Sequence, residues 1–186
     1  GPVLAQAQVN SPNRIAILRW YGGNEVAEIP VGNNPGSLAF DGEHLWVSLS
    51  GNAIRKVRAS DGADLGAFTV PSPTGVAFDG ANIWVASWGD GTVTKLRASD
   101  GATIGTFAVG TNPGGGIVFD GANIWVANYG SGDLTKLRAT DGANLGTFPV
   151  GQGPATMAFD GANIWVSLPG ADSVVRLRAS DGAPLG

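Results

Sequence analysis

The sequence predicts an all-β protein, a β-propeller of four-stranded antiparallel blades, with about four to four and a half blades in 186 residues. Three observations predict this fold. A unit of about 40 residues recurs along the chain. Each unit contains four short segments of β-branched, aromatic or alternating residues. Two Asp-Gly pairs in each unit separate these segments and supply the positive φ that tight hairpin turns require.

Each repeat unit carries two constant sequence blocks. The first is Phe-Asp-Gly, which is followed by a Trp-Val pair, and the second ends in another Asp-Gly. The tryptophans of the four units are Trp46, Trp84, Trp125 and Trp165. Four strands per period of about 40 residues are typical of a propeller blade. Solenoids and stacked β-helices are the alternative, but their repeats usually have fewer strands and shorter periods.

The four apolar segments are clearest in the third unit. They are 117–119, 123–127, 134–138 and 145–150. None is long enough to form a stable helix, so four antiparallel strands are expected.

The repeats divide the chain into a leader and one propeller region. Residues 1–13 are predicted to be a flexible leader or the remnant of a signal peptide, because Ala5-Gln6-Ala7 has the form of a signal-peptidase site. Residues 14–186 are the repeats, and the last unit lacks most of its outer strand. The predicted units are a half-blade at 14–32 and blades at 33–70, 71–109, 110–150 and 151–186.

Composition excludes several classes of function. The net charge of −4 and the pI near 4.7 argue against a nucleic-acid or anionic-membrane partner. The absence of cysteine excludes disulfides, thiolate metal sites and thiol nucleophiles. No apolar run approaches the length of a membrane span.

The repeat unit resembles a known class of propellers. The segments 78–86 and 94–102 read Phe-Asp-Gly-Ala-Asn-Ile-Trp-Val-Ala and Thr-Lys-Leu-Arg-Ala-Ser-Asp-Gly-Ala. They are similar to the YVTN-type repeats of bacterial secreted propellers, near the NHL and virginiamycin B lyase-like groups, and the similarity extends over 15–186. The resemblance implies a ring closed by pairing of its termini and a secreted or cell-surface location.

The lyase branch of that group uses a metal and a histidine, and here the match fails. The only histidine is His44, which we place in an exposed turn, where other units carry Ala81, Ala122 or Ala162. A single imidazole and the lack of a dense Asp/Asn loop predict no metal site and no cofactor. The recurring aspartates are explained by turn chemistry, so no catalytic residue is predicted. These are Asp41, Asp61, Asp79, Asp100, Asp120, Asp141, Asp160 and Asp181.

The repeat also predicts which residues are core and which could bind. The four unit tryptophans are expected to be buried between blades. The turns between second and third strands and the links between blades share one face, and their sequences vary. We predict a binding site there, with Trp88 and Tyr129 as aromatic anchors and Asn128 and Asp90 as polar neighbours. The alternative is that the loop sequences vary at random and that this face has no binding role.

Taken together, these features favour a non-catalytic secreted scaffold that binds a protein or glycan through the variable loops. A metal-dependent lyase-like enzyme is the alternative, and a lectin is a third reading. The strand 26–31 matches the outer strand that the last unit lacks. Exchange of this strand between two chains would complete an eight-bladed ring, so a homodimer is expected.

Overall fold

Residues 28–185 are described by the computed structural model, and their regular structure is sixteen β-strands and one 3₁₀ turn. The first blade contains β1 (Pro35–Phe40), β2 (His44–Leu49), β3 (Ala53–Arg58) and β4 (Asp64–Thr69). The second contains β5 (Pro73–Phe78), β6 (Asn82–Ser87), β7 (Thr92–Arg97) and β8 (Thr103–Ala108). The third contains β9 (Pro113–Phe119), β10 (Asn123–Asn128), β11 (Asp133–Arg138) and β12 (Asn144–Pro149). The fourth contains β13 (Met157–Phe159), β14 (Asn163–Leu168), β15 (Ser173–Arg178) and β16 (Pro184–Leu185).

The four sheets are separate, and in each one the strands pair antiparallel in chain order. The first strands of successive blades, β1, β5, β9 and β13, contact one another. The predicted all-β fold of four-stranded antiparallel blades is therefore confirmed. The predicted leader 1–13 and most of the predicted half-blade 14–32 lie outside the described residues. Within the described part of the chain, no helix has the length and apolarity needed to cross a membrane.

The Asp-Gly pairs form the tight turns that the sequence predicts. In the second blade, Asp79 Oδ1 accepts hydrogen bonds from the backbone N–H groups of Ala81 and Asn82, at 2.9 and 2.7 Å. Gly80 follows with a φ of 99°, which a residue with a side chain adopts only with strain. The aspartate thus stabilises the turn and the glycine permits it.

The hydrophobic core lies between the blades. Trp46 packs with Val76, Ile83 and Leu96 of the second blade, and Trp84 and Trp125 pack in the same way on the third and fourth blades. All three indoles are fully buried. Each also contacts a phenylalanine of its own outer strand, with ring centroids 5.2 to 5.5 Å apart. Burial of these three tryptophans was predicted and is confirmed.

Trp165 corrects the prediction that all four unit tryptophans are buried. Its side chain is 38% exposed. Two contacts that bury Trp125 are missing for Trp165 among the described residues: an outer-strand phenylalanine and a following blade. Repetition in sequence therefore predicts burial only where a neighbouring blade completes the interface.

The glycines of the turns between third and fourth strands also make contacts between blades. A Cβ at Gly142 would overlap the ring of Phe107 in the preceding blade, and Gly101 and Gly182 face Phe68 and Phe148 in the same way. The phenylalanine that covers each of the three buried tryptophans thus packs against the backbone of a glycine in the next blade.

This contact predicts different costs for two glycine substitutions. Gly142→Ala and Gly121→Ala both place a Cβ at a positive φ, but nothing lies within 4 Å of the Cβ at Gly121. We expect Gly121→Ala to lower the free energy of unfolding by about 1 kcal/mol, the cost of a left-handed conformation. Gly142→Ala should cost about 1–3 kcal/mol more because it overpacks the blade interface. Urea denaturation measures both, and equal losses would contradict the assigned contact.

Candidate functional site

The variable loops are tied together in pairs by backbone hydrogen bonds. The N–H of Trp88, at the start of the β6–β7 turn, donates to the carbonyl of Ser72 in the link before β5, at 3.0 Å. Tyr129 donates in the same way to Asn112 at 3.0 Å. We call the surface formed by the turns 50–52, 88–91, 129–132 and 169–172 and the links 32–34, 71–72, 110–112 and 151–153 the variable face.

Trp88 and Tyr129 lie side by side on the variable face. Their ring centroids are 5.6 Å apart and the rings are tilted by 39°. Trp88 is 40% exposed and Tyr129 is 48% exposed. Two large aromatic side chains from neighbouring blades therefore form one solvent-accessible pair. Their exposure on one face agrees with the prediction from the sequence.

Two grooves flank the aromatic pair. The groove beside Trp88 has a volume of about 550 Å³, and its lining includes Asn34, Ser50 and Asn52. The groove beside Tyr129 has a volume of about 500 Å³, and its lining includes Ser131 and Gln152. Neither lining contains a charged side chain. The grooves therefore offer hydroxyl, amide and backbone groups to a ligand.

The two polar neighbours predicted for the pair differ in position. Asp90 is exposed in the β6–β7 turn. Asn128 is fully buried, and its Nδ2 donates to Asp133 at 2.6 Å and to Thr135 at 2.9 Å. Asn128 therefore stabilises the β10–β11 turn from inside the blade. This corrects the prediction that Asn128 is a polar neighbour of the aromatic pair on the surface. The equivalent residues of the first and fourth blades are Leu49 and Leu168. These leucines are the signal in the sequence that the side chain at this position faces inward.

The aspartates in the turns between first and second strands stabilise the blades through hydrogen bonds. Asp79 Oδ2 accepts a hydrogen bond from the indole Nε1 of Trp84 at 2.7 Å, and the other three blades repeat it at 2.7 to 2.9 Å. Burial raises the pKa of Asp79, but the hydrogen bonds from Trp84, Ala81 and Asn82 outweigh it, so the pKa lies below its usual value. These carboxylates are ionised at neutral pH and are unsuited to act as general acids.

A lysine lies over each of the three buried tryptophans and reaches into the next blade. Lys95 Nζ lies 4.9 Å from the ring centroid of Trp84 and donates to the carbonyl of Ala139, in the third blade, at 2.6 Å. Lys56 and Lys136 repeat both contacts, and all three lysines are at most 6% exposed. An ionised carboxylate, an indole and an ammonium thus form one connected unit at each of these three interfaces, which sequence reasoning missed.

His44 also lies elsewhere than predicted. It is the first residue of β2 and aligns with Asn82, not with Ala81, and its side chain is only 16% exposed. Its Nδ1 lies 3.2 Å from Asp41 Oδ2, in the role that the amide of Asn82 has towards Asp79. His44 therefore supports a turn. Within residues 28–185, no three His, Cys, Asp or Glu side chains lie together as metal ligands would.

The lowered pKa values predict acid-sensitive stability. Asp79 and Asp120 have pKa values in the folded state below the unfolded value near 3.9. The unfolded state therefore binds more protons in acid, and the stabilisation, fully present above about pH 5, is lost as the pH falls below about 4. Asp79→Asn should lower stability at pH 7 and weaken this acid-induced loss, measured by urea midpoints from pH 3 to 7. Asp90→Asn is the control, and an identical effect from both variants would contradict the assignment.

Comparison with known proteins shows the fold of the chain. No protein-family model matches the sequence, and no curated protein matches it. Among solved structures, hydrazine synthase of Kuenenia stuttgartiensis is similar with a TM-score of 0.76 and 20% identity, over 88% of this chain and 51% of that one. Streptogramin B lyase has a TM-score of 0.69 and 20% identity, over 86% and 55%. Glutaminyl cyclase of Myxococcus xanthus has a TM-score of 0.60 and 16% identity, over 87% and 73%.

The chain spans about half the length of the hydrazine synthase and streptogramin B lyase chains. At these identities the similarity concerns the fold alone. Together with the four antiparallel sheets, it shows that the chain is a β-propeller repeat protein of about four blades.

Proposed function

We propose that this chain is a non-catalytic secreted or cell-surface propeller module that binds a neutral glycan through its variable face. The observation that carries the proposal is the exposed pair of Trp88 and Tyr129, 5.6 Å apart between two uncharged grooves. The location outside the cytoplasm is supported by the resemblance of the repeat unit to secreted propellers.

The chemistry of the variable face suits a sugar chain. An aromatic ring offers a flat apolar face to the C–H groups of a sugar ring, and Trp and Tyr also present a polar edge. Amides such as Asn34 and Gln152 and hydroxyls such as Ser50 can donate and accept hydrogen bonds with sugar hydroxyls. The lack of charge in both grooves favours a neutral ligand over an acidic or basic one.

A protein ligand is the other occupant that the sequence suggests. Aromatic anchors also dominate protein interfaces, but there they insert into desolvated pockets and are surrounded by a rim of contacts. A shallow aromatic pair between polar grooves fits a stacked sugar better. The lyase alternative has no support from the residue arrangement, since Asp79 and His44 are engaged within turns.

The partner proposal also includes a second copy of the chain. We propose a homodimer that completes an eight-bladed ring. The segment 28–31 supports it, because its sequence Glu-Ile-Pro-Val is similar to Thr-Phe-Pro-Val at 147–150 in the outer part of the third blade.

The glycan proposal predicts the effect of removing each aromatic ring. We expect isothermal titration with a panel of neutral hexasaccharides of glucose, mannose and N-acetylglucosamine to show binding of at least one. Trp88→Ala and Tyr129→Ala should each weaken that binding by about tenfold or more, since each removes a stacking surface. Tyr129→Phe keeps the ring and should retain most of the affinity.

Leu145→Ala is a second control, because Leu145 is exposed on an outer strand and lies outside both grooves. Failure of the whole panel to bind, or binding that is indifferent to Trp88→Ala, would refute the glycan proposal. Binding of a protein that Trp88→Ala disrupts would assign the same face to the other class of ligand.

A further inference from the structure

One Asp-Gly pair of this chain lies outside the regular turns of the repeats. The sequence contains nine Asp-Gly pairs, and eight of them form the tight turns between first and second or third and fourth strands. The ninth, Asp90-Gly91, lies in the turn between β6 and β7 on the variable face. The third blade has Ser131 and Gly132 at the same positions. Asp90-Gly91 is therefore not part of the turn chemistry that recurs in every blade.

The eight aspartates of the regular turns are held by hydrogen bonds. Asp100 Oδ1 accepts a hydrogen bond from the backbone N–H of Ala102 at 3.0 Å, and Asp100 Oδ2 accepts one from Arg97 at 2.8 Å. The N–H of Gly101 donates to the carbonyl of Arg97 at 2.7 Å. These three contacts recur at Asp61, Asp141 and Asp181. In the other four turns the carboxylate accepts hydrogen bonds from two backbone N–H groups and an indole, as at Asp79.

Asp90 and Gly91 have none of these contacts. Within residues 28–185, neither the carboxylate of Asp90 nor the N–H of Gly91 forms a hydrogen bond. In the equivalent turn of the third blade, the N–H of Gly132 donates to the carbonyl of Asn128 at 3.0 Å. Asp90 is exposed and has a glycine on each side. Its carboxyl group is therefore open to solvent and is not held away from the nitrogen of Gly91.

An Asp-Gly pair without such contacts can rearrange its own backbone. The amide nitrogen of Gly91 attacks Cγ of Asp90, and the new N–Cγ bond closes a five-membered succinimide. The carboxyl hydroxyl leaves with the amide proton as water. A water molecule then adds to the backbone carbonyl carbon of Asp90 and breaks its bond to nitrogen, so the chain continues through the side chain as isoaspartate. One water is lost and one is gained, and glycine favours ring closure because no Cβ shields its nitrogen.

The hydrogen bonds of the regular turns oppose this reaction. Ring closure brings Cγ to bonding distance of the following nitrogen, and this movement breaks the hydrogen bonds to the carboxylate. The backbone N–H of Ala102, together with the guanidinium of Arg97, also holds the pKa of Asp100 below its usual value. An ionised carboxylate has no hydroxyl to lose as water. The aspartates of the eight regular turns are thus protected by contacts that Asp90 lacks.

We propose that Asp90-Gly91 is the site at which this chain forms isoaspartate spontaneously. The product has one additional carbon in its backbone and a free carboxylate in place of the backbone carbonyl, two residues after Trp88. The modification therefore changes the variable face with the age of the protein and needs no co-reactant except water. This inference rests on the hydrogen bonds of the turns and does not depend on the ligand of the variable face.

Incubation of the folded protein in water labelled with oxygen-18 measures the reaction, because ring opening adds one oxygen atom from the solvent. Mass spectrometry of peptide fragments assigns the label to each Asp-Gly pair. We expect Asp90-Gly91 to gain label about tenfold faster or more than the other eight pairs, because at least two hydrogen bonds must break there first. Equal labelling of all nine pairs, faster labelling of another pair or no label at Asp90-Gly91 would overturn the proposal.

The same labelling in concentrated urea tests whether the fold causes the difference. Unfolding removes the hydrogen bonds of the eight regular turns, so all nine pairs should then gain label at similar rates. A preference for Asp90-Gly91 that persists in the unfolded chain would assign the difference to local sequence, contrary to the proposal.

Methyl transfer by an isoaspartate-specific methyltransferase gives an independent measurement of the product. Aged wild-type protein should accept the methyl label, and Asp90→Glu should remove most of it, because the longer side chain would have to close a six-membered ring. Asp172→Glu is the matched control and should leave the label unchanged, since Asp172 is also exposed on the variable face but is followed by Ser173. Retention of the label in aged Asp90→Glu protein, or its absence from the aged wild type, would overturn the proposal.

Discussion

Each blade interface depends on one tryptophan that joins three parts of the molecule. The indole N–H of Trp84 binds the ionised Asp79 and so fixes the turn between β5 and β6. Its ring packs in the core against the next blade and also faces the ammonium of Lys95. Because Lys95 donates to the carbonyl of Ala139, the same tryptophan connects turn, core and neighbouring blade.

A buried ammonium is costly unless other groups replace its hydration. Lys95 is 4% exposed and has no carboxylate within ion-pair distance among the described residues. Backbone carbonyls of Ala139 and Thr140 and the electron-rich face of Trp84 take the place of water. This arrangement favours one alignment of neighbouring blades, since only there do the carbonyls meet the lysine. The scaffold is thus held by constant residues at the interfaces, and the loops of the variable face are free to differ.

Much of this architecture could be predicted from sequence because its signals are local and repeated. The Asp-Gly turns, the strands and the exposed pair of Trp88 and Tyr129 follow from short patterns at fixed positions. The lysine contacts could not be predicted, because Lys95 and Ala139 are 44 residues apart. Nothing in the sequence around either residue indicates that it contacts the other. The burial of Asn128 was missed because Asn128 is the last residue of a strand. At a strand end, a shift of one residue changes the expectation from a side chain in the core to a side chain in a loop.

The exposure of Trp165 shows the limit of reasoning from repetition. Its sequence context is the same as that of Trp125, but its environment depends on what lies beside the fourth blade. Burial of a repeat residue is a property of the interface and not of the repeat alone.

A double-mutant cycle between Trp84→Phe and Lys95→Met tests the central role of the tryptophan most directly. The cycle uses the free energies of unfolding of the wild type, the two single variants and the double variant. If Lys95 is held by the indole, the account predicts a coupling energy of about 0.5–2 kcal/mol. The same cycle with Arg97→Met should be additive, because Arg97 pairs with Asp100 at the surface. Additivity of Trp84→Phe with Lys95→Met would contradict the account.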